Sequence, residues 1–143
     1  MATINRTAKA AWQGNGKEGT GQLTTQSGVL KEARYGFNTR FEQGPGTNPE
    51  ELIAAAHAGC FTMALAFQLQ GAGHTAESLD TEAKVSMEQE GAGWSIKAVA
   101  LTLQAKVSGC SPEEFQKLAE TAKANCPVSK LLNAAISLDA KLG

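Results

Sequence analysis

A chain of 143 residues suits one domain with one substantial core, and no linker or repeat divides it, so it reads as a single domain over 1–143. Its 13 basic and 14 acidic side chains are interspersed and sum to −1, which offers no electrostatic footprint for nucleic acid or an anionic membrane surface. The opening MATINRTAKAAW lacks the apolar segment of a secretory signal, an expectation of a cytoplasmic protein; there, three cysteines without CxxC or metal-ligand spacing argue for reactivity over a disulfide framework.

Residues 2–12 read as a weak strand, with Ile4, Ala8, Ala10 and Trp12 at even spacing. The glycine-rich QGNGKEG turns the chain, and 20–26 returns as a partner strand. YGFNTRF at 35–41 alternates, with Tyr35, Phe37, Thr39 and Phe41 in one phase. That predicts a third strand, with Arg40 pointing away from its aromatic face.

The stretch 49–70, PEELIAAAHAGCFTMALAFQLQ, is the centre of the chain. Asn48 suits the N-cap, Pro49 the first helical position, and Glu50 and Glu51 the positive end of the macrodipole. A capping box of Thr47 with Glu50 is the alternative register. Gly71-Ala72-Gly73 ends the helix. Apolar residues cover nearly its whole circumference, which predicts burial on most sides. His57, Thr62, Gln68 and the two leading glutamates argue against a membrane span. In its middle sits Cys60.

Beyond Gly73, Leu79, Thr81, Ala83, Val85 and Met87 alternate with polar residues in a half-buried strand. EGAG at 90–93 makes a hairpin to 94–107, where Trp94 and Ile96 are out of phase with Val99, Leu101, Leu103, Ala105 and Val107. A β-bulge near Lys97-Ala98 reconciles the two. Ser111-Pro112-Glu113-Glu114 caps a helix whose inner face is Phe115, Leu118, Ala119 and Ala122. A short helix over about 127–133 follows, with Cys126 at or near its N-cap, and 136–142 is the last strand. The order βββ-α-ββ-αα-β is α+β. A helix over 49–70 is roughly 33 Å long. One sheet covers one side of it, so the other side calls for a second copy of the chain in a symmetric homodimer.

The chemistry-bearing residues each admit two readings. Cys60 is either a small hydrophobe in a core helix or a nucleophile; mid-helix amides are already paired, so a reactive Cys60 needs a cation brought to it. Cys126 at a helix N-terminus meets unpaired N–H groups that favour thiolate, or else Asn125 is the cap and Cys126 packs. Taken alone, Cys126 is the better nucleophile of the two. Cys110 has no activating neighbour and reads as incidental. His57, three residues before Cys60 on one helix face, is either a satisfied interface histidine or half of a Cys-His pair for acyl transfer. Zinc on Cys60, His57 and Cys126 lacks a fourth ligand and signature spacing. Arg40 and Glu50 form a surface ion pair, or a carboxylate-held guanidinium offered to a thiolate. Glu50 and Cys60 are ten residues apart, ~15 Å along a helix, so such help comes most easily from a second subunit.

TNPEELIAAAHAGCF, with NCPVSKLL some sixty residues on and YGFNTRF before it, strongly resembles the OsmC/Ohr family of osmotically inducible and organic hydroperoxide resistance proteins. The resemblance spans essentially the whole chain, and YGFNTRF resembles the osmotically inducible branch. It implies an intertwined α+β homodimer and a thiol-dependent peroxidase. By the same resemblance Cys60 is the peroxide-attacking cysteine, Cys126 the resolving cysteine, Glu50 the acidic residue after Asn-Pro, and Arg40 the arginine it orients. That reverses the lone-residue ranking of the two thiols. The implied chemistry is a Cys60 sulfenic acid, a Cys60–Cys126 disulfide and reduction by a lipoyl-type dithiol, with organic hydroperoxides preferred to hydrogen peroxide. It needs neither cofactor nor metal. Half-ionising a thiol at pH 7 takes about 2 kcal/mol, and an arginine near 4 Å at an effective dielectric of 20 supplies on the order of 4 kcal/mol before desolvation. The rivals are a Cys-His hydrolase on Cys60 and His57, and a non-catalytic dimeric ligand-binding stress protein.

Overall fold

The computed structural model describes residues 2–143, which run β1 (Ala8–Gln13), β2 (Thr20–Thr25), β3 (Ala33–Tyr35), α1 (Phe37–Phe41), α2 (Pro49–Gly71), β4 (Ala76–Glu90), β5 (Gly93–Val107), α3 (Pro112–Asn125), α4 (Pro127–Leu131) and β6 (Ala135–Leu142). The class is α+β, as expected, with one more helix than the sequence pattern gave. The chain gathers into two compact units, one ending at Leu52 and the other running Ile53–Gly143.

In the first unit β1, β2 and β3 form an antiparallel meander in that order. Gly21 sits opposite both Trp12 and Tyr35, whose rings meet edge to face at 5.6 Å. A Cβ on Gly21 would come within 2.4 Å of the Tyr35 ring and 2.7 Å of the Trp12 ring, so only glycine lets the two aromatics close over the middle strand. The first strand begins at Ala8 rather than residue 2.

The strand expected over 35–41 is wrong: it stops at Tyr35, and Phe37–Phe41 is helical. Two local interactions decide this. The Thr39 hydroxyl accepts from the Gly36 N–H at 2.7 Å and donates to the Gly36 carbonyl at 3.0 Å, winding the chain at its start. Phe37 and Phe41, four apart, then pair at 5.1 Å between ring centroids on one helix face. Arg40 consequently does not point away from a strand; its guanidinium lies 5.3 Å over the Phe41 ring.

Asn48 wins the competition to cap α2. Its Oδ1 accepts from the Glu51 N–H at 2.8 Å, while Thr47 donates to the Glu51 carboxylate at 2.7 Å. At the far end the His74 N–H bonds the Leu69 carbonyl (2.8 Å) and the Gly73 N–H the Gln70 carbonyl (3.0 Å), with Gly73 at φ +85°. These are the two bonds of a Schellman cap, and Gly73 takes the left-handed turn that a Cβ would strain.

The second unit is built on the sheet β4-β5-β6. The β4–β5 hairpin is antiparallel, and its register slips where Ser86 faces Ala98 but Met87 faces Ile96, leaving Lys97 as the extra residue of the expected bulge. The α3–α4 crossover returns the chain so that β6 runs parallel to β5. Central β5 is the most buried strand. Its Val99, Leu101, Leu103 and Ala105 join Phe61, Leu65 and Leu69 of α2, Phe115, Ala119 and Ala122 of α3, Cys126 and Ala140 in one core.

Within one chain α2 is not buried on most sides. Its buried residues are His57, Phe61, Leu65 and Leu69, a single stripe at i+4 spacing. Ala55, Ala56, Gly59, Met63, Ala66 and Phe67 stay exposed, Met63 and Phe67 each at 64%. By length and hydropathy alone α2 could cross a bilayer, but its buried stripe belongs to the core just described and two glutamates open it.

Candidate active site

Cys60 lies in the middle of α2, half-buried, and Cys126 lies at the junction where α3 ends and α4 begins, fully buried. These positions are 66 residues apart in sequence, yet the fold brings Cys126 close enough to act on the ionisation of the Cys60 thiol. Both are free, as is Cys110. Pro127 forces the break that creates the junction. It cannot continue α3, and its fixed φ starts α4 instead. Cys126 is thus the N-cap residue of α4, though its side chain makes no capping bond.

Burial pushes the Cys60 thiol up from its ordinary pKa, and the hydrogen bond with Cys126 and that group's charge push the same way. The Val128 backbone N–H, in the first turn of α4, pulls it down by donating to the sulfur. The one lowering influence on Cys60 thus comes from a neighbouring helix rather than its own. The net direction is upward, so the thiol pair alone does not make Cys60 a ready thiolate.

His57 is fully buried one turn before Cys60, and its Nε2 is 2.7 Å from the Ser129 hydroxyl. Its Nδ1 has no hydrogen-bond partner among the described residues. Burial lowers its pKa. The ring ties α2 to α4, bonding Ser129 in place of the thiol. Ser129 and Val128 were missed at the level of sequence. One signal did exist: Cys126 and Ser129 are three apart on α4, as His57 and Cys60 are on α2.

In the first unit Arg40 and Glu50 form a two-bond fork, Nε to Oε1 at 3.0 Å and Nη2 to Oε2 at 2.9 Å. The Glu50 side chain is 13% exposed and Arg40 40%, so the carboxylate anchors and the guanidinium remains open to solvent. Cys110, in the loop before α3, lies 3.6 Å from Glu114 Oε1. Burial first, then the Glu114 charge, push its thiol up, and nothing there activates it.

Fold and pairing together define a class: an α+β protein built on a long central helix whose mid-helix cysteine meets a second cysteine from a distant helix junction. The chain belongs to the OsmC-like protein family, whose family model matches residues 42–141. It is 49% identical over 140 residues to peroxiredoxin OsmC of Escherichia coli, covering 98% of each chain. It is 32% identical over 110 residues to the organic hydroperoxide resistance protein OhrB of Bacillus subtilis, covering 77% of this chain and 79% of that one. An OsmC-like protein of unknown function from Vibrio cholerae has the same fold, with a TM-score of 0.79 over 97% of this chain and 100% of that one at 17% identity.

Proposed function

We propose that the chain is a thiol-dependent peroxidase that reduces organic hydroperoxides to alcohols. The peroxidase role is that of its relative at 49% identity, a peroxiredoxin, and the hydroperoxide class is that of the resistance protein. The observation that carries the mechanism is that Cys126, fully buried, acts directly on the half-buried Cys60 thiol from 66 residues away.

In this reading the Cys60 thiolate attacks one oxygen of the O–O bond. The bond breaks, the alkoxide leaves and takes a proton to become the alcohol, and sulfur retains the other oxygen as sulfenic acid. The Cys126 sulfur then displaces that oxygen as water, forming the disulfide before further oxidation can occur. A dithiol of lipoyl type reduces the disulfide by two exchange steps and is itself oxidised. The cytoplasm, a reducing compartment, is where such a cycle would be sustained.

The remaining requirement is a cation, because the surroundings of Cys60 raise its pKa. Arg40, held by Glu50, is the candidate. Glu50 and Cys60 share α2 at a separation of ten residues, ~15 Å, which favours supply of the guanidinium by a second subunit. The exposed Met63–Phe67 face of α2 favours the same homodimer. The hydrolase reading loses ground because His57 Nε2 bonds Ser129.

The test is stoichiometric. One equivalent of cumene hydroperoxide should consume two of the three thiols, and peptide mapping should join Cys60 to Cys126. Cys60→Ser should abolish the reaction, whereas Cys126→Ser should stop at sulfenic acid and drift to sulfinic acid. A bond that includes Cys110, or full turnover by Cys60→Ser, would sink the assignment.

A further inference from the structure

The second unit holds a cluster of ligand-type side chains that the thiol pair does not use. His74, Cys110 and Glu114 bring an imidazole nitrogen, a thiol sulfur and a carboxylate oxygen within 4.8 Å of one another, and all three residues are half-buried. His74 Nε2 is 2.8 Å from Glu114 Oε1, and Cys110 Sγ is 3.6 Å from that same oxygen. They come from two junctions, His74 from the end of α2 and Cys110 and Glu114 from the β5–α3 connection, and each junction is fixed by its own local bonds. The His74 N–H closes the Schellman cap on Leu69. Cys110 follows Gly109, whose φ of +78° turns the chain out of β5, and packs against the core. Glu114 stands in the first turn of α3, its N–H donating to the Ser111 hydroxyl at 3.2 Å.

We propose that His74, Cys110 and Glu114 form a binding site for a divalent cation of the zinc class. One nitrogen, one sulfur and one carboxylate oxygen are donors that zinc accepts at roughly 2.0–2.3 Å, and a tetrahedron of such bonds sets neighbouring donors roughly 3.3–3.8 Å apart. Of the three separations, 2.8 Å falls short of that spacing, 3.6 Å lies within it and the third is within 4.8 Å, so side-chain rotations of modest size would bring the three donors onto one centre. The charges match as well. A carboxylate, a thiolate and a neutral imidazole sum to −2, which a divalent ion cancels, the thiol proton being released to solvent on binding. Sulfur in the set selects against magnesium and calcium, which take oxygen ligands. Three protein donors leave the fourth position of the tetrahedron to water. The bound ion would tie the end of α2 to the start of α3.

The spacing of these residues in the chain gave no hint of this. His74 is 36 positions before Cys110, and only the cap at Gly73 and the turn at Gly109 bring them together.

The experiment uses the full-length reduced protein carrying Cys60→Ser and Cys126→Ser, in which Cys110 is the sole thiol. Titration with Co²⁺ should give one ion per chain and a thiolate-to-metal charge-transfer band, and Zn²⁺ should displace the ion and abolish the band. Adding Cys110→Ser should remove the band, and His74→Gln or Glu114→Gln should weaken binding by roughly tenfold or more, as loss of a ligand demands. Should the double-serine host not fold, His74→Gln and Glu114→Gln in the otherwise unaltered protein keep the question decidable. Equilibrium dialysis against Zn²⁺ should then find one bound ion fewer per chain than in the parent. Absence of the band in a folded host, or zinc binding unaffected by all three substitutions, overturns the site. Peroxide consumption by Cys110→Ser should equal that of the parent, which separates this site from the thiol pair.

Discussion

Replacing Met63 and Phe67 together by alanine should separate the proposed dimer without unfolding its chains. Each side chain is 64% exposed in the single chain, so about two-thirds of its burial remains to be gained. Full burial of such a side chain is worth about 1.5–3 kcal/mol, leaving about 1–2 kcal/mol for each. A two-fold interface contains four of them, two per subunit, so the double substitution should cost up to about 4–8 kcal/mol, roughly three to six decades in the dimer dissociation constant. Sedimentation equilibrium over a concentration series reads this directly. Leu65→Ala is the contrast, because Leu65 is 0% exposed within its own chain. It should cost about 2–5 kcal/mol of folding stability at any protein concentration. A Met63→Ala/Phe67→Ala variant with the association behaviour of the parent would refute the idea that this face meets a second copy.

Two further outcomes follow from the site. In a heterodimer of one Arg40→Ala chain and one Cys60→Ser chain, supply of arginine across the interface leaves one working site of the original pair and about half the parent activity; near-zero turnover means the arginine serves its own chain. Burial lowers the pKa of His57, so the unfolded chain takes up its proton at higher pH than the folded one. The contribution is intact above about pH 6.5 and is lost as pH falls below it, by up to about 1.4 kcal/mol per pH unit until the folded pKa is reached. Urea midpoints between about pH 7.5 and 5.5 should therefore fall more steeply for the parent than for His57→Gln, and equal slopes would remove His57 as the cause.

The parts of the fold that were legible are those where one period dominates over many residues. β4 and β5 alternate over 15 residues each, so even the slip at Lys97 showed as a change of phase. α3 announced itself by its Ser111 cap and a one-sided apolar stripe. α1 was not legible, because Phe37, Thr39 and Phe41 satisfy alternation and the i, i+4 pair equally well over five residues. What broke the tie was the Thr39 hydroxyl turning back on Gly36, a local bond that no pattern of apolar positions reports. The thiol pair was legible through resemblance alone. No spacing links positions 60 and 126; Pro127, by ending α3 and starting α4, turns Cys126 into the N-cap residue of α4. Helix α2 shows the converse. Its pattern of apolar residues all round spoke for what must be covered, whereas one chain covers only the stripe of His57, Phe61, Leu65 and Leu69.

That incomplete cover bears on reactivity. Inside the second unit Cys60 is held with its pKa raised, by burial first and by Cys126 next, against one backbone donor from Val128. Such a thiol holds little of the thiolate form that attacks peroxide. Arg40, in the first unit, is pre-oriented: Glu50 takes two of its five N–H donors, and the Phe41 ring lies under the guanidinium. If that cation reaches sulfur only across a subunit interface, the Met63–Phe67 face and the thiol are coupled. A chain released from its partner then carries a quiet cysteine, and assembly favours the thiolate by a Coulombic contribution on the order of 4 kcal/mol before desolvation. Against it stand the about 2 kcal/mol that half-ionising an ordinary thiol at pH 7 takes and the further cost of the raised Cys60 pKa. Peroxide reactivity should accordingly track the dimer fraction rather than total protein, and the Met63→Ala/Phe67→Ala chain, although folded, should react as slowly as Arg40→Ala.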